Sequence, residues 1–155
     1  MNITTVSPLR MGVLGCANIA KQFTRDVQSS TSVSIDAVAS RDMQKANTFA
    51  QSLKIARAYG SYEALIADPT IDAIYIPLPN SLHAEWAIRA MEGGKHVLCE
   101  KPLALSLAQA QSMFQTARQN GVMLLESYPY WFQPQTRDLV SLITSAPPHL
   151  SLIHI

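Results

Sequence analysis

Apolar residues in this chain come in short unbroken runs, each followed by a stretch in which they fall three or four positions apart. The runs at 11–14, 33–39, 57–59, 73–76, 95–99 and 122–125 predict strands. The intervening stretches at 19–28, 43–53, 62–67 and 81–92 have helical spacing, and Ser106 caps a further helix that runs to Gln119. Ser61 offers a cap, Asp68-Pro69 and Gly93-Gly94 are stops, and Asn120-Gly121 closes a helix by the left-handed route. Strands that are apolar throughout are covered on both faces. This predicts a parallel sheet with helices on either side, built from right-handed strand–helix–strand units. The fold class is α/β, a doubly wound parallel sheet of the Rossmann kind.

After Glu126 the pattern breaks. Tyr128-Pro129-Tyr130-Trp131-Phe132-Gln133-Pro134 is dense in aromatics and proline, a helix follows over 135–144, and Pro147-Pro148 interrupts the chain. The residues from His149 to Ile155 begin a strand-like run that has no partner in the predicted sheet. Residues 1–126 therefore read as one domain. Residues 127–155 read as a connector helix and first strand of an α+β second domain that the chain leaves incomplete.

Composition narrows the partners. Of 155 residues, 48% are hydrophobic and 15% charged, enough for a packed core, and the net charge of +1 offers nothing to nucleic acid. No apolar run approaches a membrane span, and residues 1–10 lack the pattern of a secretory signal. Cys16 and Cys99 match neither a metal-ligand nor a disulfide spacing, so the expected compartment is the reducing cytoplasm.

Between the first strand and the first helix lies Gly15-Cys16-Ala17-Asn18-Ile19-Ala20, a G-x-A-x-x-A variant of the dinucleotide fingerprint. Gly15 would make the tight turn, Ala17 would admit a close backbone approach, and Ala20 would pack helix on sheet. A pyrophosphate would then rest on the helix N-terminus. Cys16 shares that N-terminus, a setting that lowers a thiol pKa, although a small packing role is the plainer one. The second strand ends at Ser40-Arg41, with no acid at its tip to grip a ribose 2′-hydroxyl. Ser40, Arg41 and Lys45 suit a 2′-phosphate, which favours NADP over NAD, and Asp42 is expected to turn away as a helix cap. Arg41 can also be an ordinary surface charge.

The chemical end is carried by two segments. Pro77-Leu78-Pro79-Asn80-Ser81-Leu82-His83 leaves the fourth strand where a loop passes over a bound cofactor. Asn80 can cap the next helix, line the site, or do both, and His83 is open between a structural and a functional role. Glu100 and Lys101 emerge at the tip of the fifth strand, followed by Pro102. A lysine held by a nearby carboxylate can stabilise a developing alkoxide while hydride leaves carbon. Neighbouring Glu and Lys on a surface would look the same.

The run Tyr75-Ile76-Pro77-Leu78-Pro79-Asn80-Ser81-Leu82-His83, followed by Gly94-Lys95-His96-Val97-Leu98-Cys99-Glu100-Lys101-Pro102, closely resembles the Gfo/Idh/MocA oxidoreductases. The branch it resembles contains glucose–fructose oxidoreductase, NADP-dependent xylose dehydrogenases and dimeric dihydrodiol dehydrogenases. The resemblance implies an N-terminal Rossmann domain joined to a mainly antiparallel α+β domain that binds a sugar or diol and makes the contacts of a homo-oligomer. It implies Lys101 beside the nicotinamide and substrate hydroxyl, Glu100 with the Asn80/His83 loop lining the cofactor, a cis Lys101–Pro102 bond, and Tyr59 near the adenine end. Ala17 departs from the usual middle glycine, and Trp131 stands where relatives carry arginine. The family's acid/base tyrosine or histidine would lie beyond Ile155, so the chain alone is expected to be inactive. A dinucleotide-binding sensor without turnover is the alternative from another class.

Overall fold

A computed structural model describes residues 7–145. Six strands form one sheet: β1 (Leu9–Leu14), β2 (Val33–Ala39), β3 (Arg57–Tyr59), β4 (Ala73–Ile76), β5 (His96–Glu100) and β6 (Leu124–Ser127). Their order is β3-β2-β1-β4-β5-β6 and every pairing is parallel. The helices are α1 (Asn18–Val27), α2 (Met43–Leu53), α3 (Tyr62–Ile66), α4 (His83–Glu92), α5 (Leu107–Asn120) and α6 (Pro134–Ser145). Short 3-10 turns precede α4 (Asn80–Leu82) and α6 (Pro129–Phe132).

The strand alternation sorts side chains into two cores. Met11, Val13, Val38, Ala73 and Tyr75 meet α1 and α2 through Ala20, Phe49, Ala50 and Leu53. Leu14, Ala37, Ile74, Ile76 and Val97 meet the opposite layer, where Leu65, Trp86, Met91 and Met113 lie. Coverage on both faces holds for the central strands. It does not extend to the far edge: Leu98 is half-buried and Leu125 is 48% exposed, because α1 and α2 sit over β1 to β3.

Helix ends follow the chemistry of their caps. Asp42, Ser61 and Ser106 each accept backbone N–H bonds at the start of α2, α3 and α5. Gly121 closes α5 with φ +64°, and the N–H of Val122 bonds back to the Ala117 carbonyl. Val122 is thus spent on the helix cap, and the last strand starts at Leu124 instead.

The edge opposite the site is held by polar ties. Asp68 accepts from Arg57, from the Tyr59 hydroxyl at 2.7 Å and from the Thr70 hydroxyl at 2.7 Å. Lys95 is buried, and its ammonium donates to the carbonyls of Asp68 and Ile71, each at 2.7 Å. Asp72 accepts from the Arg10 guanidinium and backbone. The strand-like segment expected over 149–155 lies outside the described residues.

Candidate active site

Where β1 and β4 lie side by side, the chain leaves the sheet in opposite directions, and such a switch point opens a crevice beyond the strand ends. The turn after β1 fills one wall. Gly15 takes φ +97° and donates its N–H to the Ala39 carbonyl at 2.7 Å, tying the tips of β1 and β2. A Cβ on Gly15 would lie 2.9 Å from Leu78 Cδ2 and 3.8 Å from the Tyr62 hydroxyl. Glycine is demanded here by backbone and by space.

No side chain caps α1: its N-cap is Ala17, and its first turn carries no acid. The unpaired N–H groups of that turn, with the helix dipole behind them, suit an anion. Asn18 and Ile19 are exposed beside it, and Cys16 and Ala17 are half-buried. A groove between α1 and α2 brings Cys16, Asn18, Lys21, Asp42 and Lys45 together. The Cys16 thiol departs from expectation. Burial pushes its pKa up and outweighs the lowering by Lys45 and Ser40. The unreactive packing role is the one its surroundings support.

At the tip of β2, Ser40 is buried and its hydroxyl oxygen accepts the Asp42 N–H at 3.2 Å. The same hydroxyl also faces the Cys16 thiol, whose pKa it lowers. Asp42 caps α2 through the N–H groups of Gln44 (2.9 Å) and Lys45 (3.2 Å), so its charge faces the helix. Arg41 and Lys45 are exposed. Tyr59 is different from what the resemblance implies: its hydroxyl donates to Asp68. That proton is committed at the far end of α3, away from the crevice.

The loop after β4 buries Pro77 and Leu78 and leaves Asn80 exposed. Asn80 opens the 3-10 turn, and α4 begins at His83 with no side-chain cap, so Asn80 does not serve as the cap of that helix. His83 is fully buried and therefore presents no surface to line a cofactor site. Its ring nitrogens lie between the carbonyls of Leu78 and Pro102, 2.8 Å from each.

At the tip of β5, Lys101 is exposed and the Lys101–Pro102 bond is cis, as the resemblance implies. The expected carboxylate partner is absent. Glu100 Oε1 instead accepts the Tyr75 hydroxyl at 2.7 Å, and no ion pair of Lys101 occurs among the described residues. Glu100 is the last residue of β5 and is turned to Tyr75, whereas Lys101 already belongs to the turn beyond the strand. Three supporting residues escape a reading of the sequence. Tyr75 holds Glu100; Glu126 Oε1 accepts the Leu103 N–H at 2.8 Å and pins the turn after Pro102; Tyr62 brings its hydroxyl toward Gly15. Each acts across the fold, and local spacing carries no sign of it.

The family described as the GFO_IDH_MocA oxidoreductase family, NAD-binding Rossmann fold, matches residues 9–128, from the start of β1 to just past β6. The chain belongs to this family. Among curated members, it is 42% identical over 137 residues to D-xylose 1-dehydrogenase (NADP(+)) 2 of Haloferax volcanii, covering 88% of this chain and 42% of that protein. It is 37% identical over 139 residues to trans-1,2-dihydrobenzene-1,2-diol dehydrogenase of Xenopus tropicalis, covering 87% of this chain and 42% of that protein. Among solved structures it superimposes with a TM-score of 0.83 on KijD10, a 3-ketoreductase from Actinomadura kijaniata crystallised with NADP. That match is 37% identical and covers 89% of this chain and 44% of the ketoreductase. The chain thus spans less than half the length of these relatives. As a member of the family it is an NAD(P)-binding Rossmann domain, and the Gly15 cradle with the uncapped, acid-free start of α1 fits such a group. No helix among the described residues is long and apolar enough to cross a membrane.

Proposed function

We propose that this chain is the NADP-binding part of an oxidoreductase acting on a CH–OH group of a sugar or diol, with Lys101 as its catalytic residue. The carrying observation is that the exposed, carboxylate-free Lys101 stands at the same sheet edge as the Gly15 turn and the Ser40–Arg41 tip. The names of the xylose and dihydrodiol dehydrogenases support the substrate class, and the first of these names NADP. When bound, the nicotinamide supplies or accepts the hydride.

The N–H groups of Asn18 and Ile19 hold the pyrophosphate, and Cys16 and Ala17 shape the backbone around it. Ser40 donates to the 2′-phosphate while Arg41 and Lys45 neutralise it. Pro77, Leu78 and Asn80 cover the cofactor from the β4 side. The Lys101 ammonium donates to the substrate oxygen and stabilises negative charge as it develops there. Glu100, turned to Tyr75, leaves that ammonium undivided. Ser127 is the last residue of β6, so it is from 128 onward, rather than from 127, that the chain belongs to the substrate and dimerisation domain of a homo-oligomer, in a cytoplasmic setting that keeps Cys16 and Cys99 as the free thiols they are here.

Titration of the chain with NADPH, followed by cofactor fluorescence, tests the binding half. Lys101→Ala should keep NADPH affinity within about threefold of wild type. In a protein carrying this chain and a substrate domain, the same change should cut kcat at least about 100-fold. Tight NADPH binding without turnover would leave a sensor, turnover indifferent to Lys101 would remove its catalytic role, and no binding at all would end the proposal.

A further inference from the structure

His83 lies at the first turn of α4, fully buried, with Nε2 2.8 Å from the Leu78 carbonyl and Nδ1 2.8 Å from the Pro102 carbonyl. These oxygens belong to different walls of the crevice. One is in the loop after β4, whose Leu78 side chain presses on the Gly15 turn. The other immediately follows Lys101. A carbonyl oxygen only accepts, and a neutral imidazole donates from one nitrogen while turning a lone pair outward at the other. A ring with one proton makes one of these bonds and faces the second oxygen with a lone pair.

We infer that His83 is a positioning residue that ties the Leu78 loop to the Lys101–Pro102 turn with a proton on each ring nitrogen, and that loss of either proton releases one wall. The tie itself stands on geometry. Its effect on NADP rests on the function proposed above.

The surroundings allow a buried imidazolium. Both N–H groups are satisfied by carbonyls, which leaves no donor unpaired and offsets part of the cost of burying a cation. The ionisable groups on α3, α4 and β4 to β6 and at the tip of β5 are Tyr62 and Glu63 on α3, Glu85, Arg89 and Glu92 on α4, Tyr75 on β4, His96, Cys99 and Glu100 on β5 with Lys101 after it, and Glu126 on β6. Glu126 favours a cation and Lys101 opposes it, while Glu85 is paired with Arg89 and Glu100 is turned to Tyr75. Cys99, Tyr62 and Tyr75 stay neutral where histidine titrates, since burial raises each of them, Cys99 to about 12. Raising the pH removes the second proton and loosens the spacing between Lys101 and the loop that faces it.

The test is nitrogen NMR of the wild-type chain with labelled histidine, from about pH 5 to about pH 9. At the acid end both His83 nitrogens should show bonded protons. As the pH rises one should disappear, and the amide signals of Leu78, Asn80 and Leu103 should move with the same midpoint. A single bonded proton with unchanged amides across that range overturns the inference. Titration with NADPH supplies the second arm. The ratio of wild-type to His83→Gln affinity, in which the titration of the 2′-phosphate itself cancels, should fall from about tenfold at the acid end to about one across the same midpoint. A His83→Gln chain with wild-type affinity and the full pH response would remove the positioning role. If wild type binds no NADPH while the two-proton signature is present, the cofactor proposal fails and the tie survives.

Discussion

The hydroxyl of Tyr75 donates to Glu100 Oε1 at 2.7 Å, across the boundary between β4 and β5. That bond draws the carboxylate to the α1 side of the sheet, where the Tyr75 ring packs on Phe23 with centroids 4.2 Å apart. Lys101, one residue on, is left with its charge unshared. Burial first, then Glu100, raise the pKa of the phenol, which keeps it a donor at every relevant pH.

Tyr75→Phe keeps the ring packing and removes the donor to a charged oxygen. Stability should fall by about 1–3 kcal/mol, read from the midpoint of a denaturant titration. An unchanged midpoint would mean that solvent takes the place of the phenol.

Arg41→Ala should separate the two nicotinamide cofactors. Loss of a charge-assisted contact to a phosphate should weaken NADPH about tenfold to a hundredfold and NADH by less than about twofold. Isothermal titration with each cofactor decides it, and equal weakening would place Arg41 outside the 2′-phosphate site.

Gly15→Ala meets two penalties, a φ of +97° and a contact with Leu78 at 2.9 Å. Thermal unfolding should show a loss of about 1–3 kcal/mol for the backbone alone. Adding Leu78→Ala should relieve the contact without restoring the rest. Full recovery in the double variant would show that space, not conformation, demands glycine.

Acid stability should track the two aspartates at the lower edge. Burial alone would raise Asp68, yet bonds from Tyr59, Thr70 and Arg57 hold it at about 2, below its ordinary 3.8. The Arg10 hydrogen bond holds Asp72 at about 2 as well. A depressed folded-state value gives stability that is complete above the unfolded value and disappears as pH falls through the folded one. Urea midpoints should therefore drop between about pH 4 and about pH 2, and Asp68→Asn should flatten that limb while lowering the plateau. An unaltered acid limb in Asp68→Asn would assign the loss to other carboxylates.

Local patterns fixed the frame of this fold. The bounds of β2, β3, β4 and α2 follow directly from apolar runs and the Asp42 cap, because those signals act over a few residues. The crevice was legible as well: the Gly15 turn, the Ser40–Arg41 tip and Lys101 all sit on the predicted edge. Partnerships were not. Glu100 looked like the companion of Lys101 because they adjoin, but a residue 25 positions away claims it. His83 reads as a residue at the start of a helix near the cofactor, yet its two bonds run to carbonyls 5 and 19 positions away. Tyr59 lies at the site edge of β3 while its polar end is used elsewhere. Such choices depend on which strands neighbour each other and on the faces their side chains take, and chain spacing encodes neither.

One strand ends in two amines of opposite chemical character. Lys95, just before β5, has its nitrogen sealed against two carbonyls, while Lys101, just after it, meets water. An acylating reagent at limiting dose would mark the second and spare the first, so peptide mass ratios within a single tryptic region would report occupancy of the crevice against a built-in internal standard.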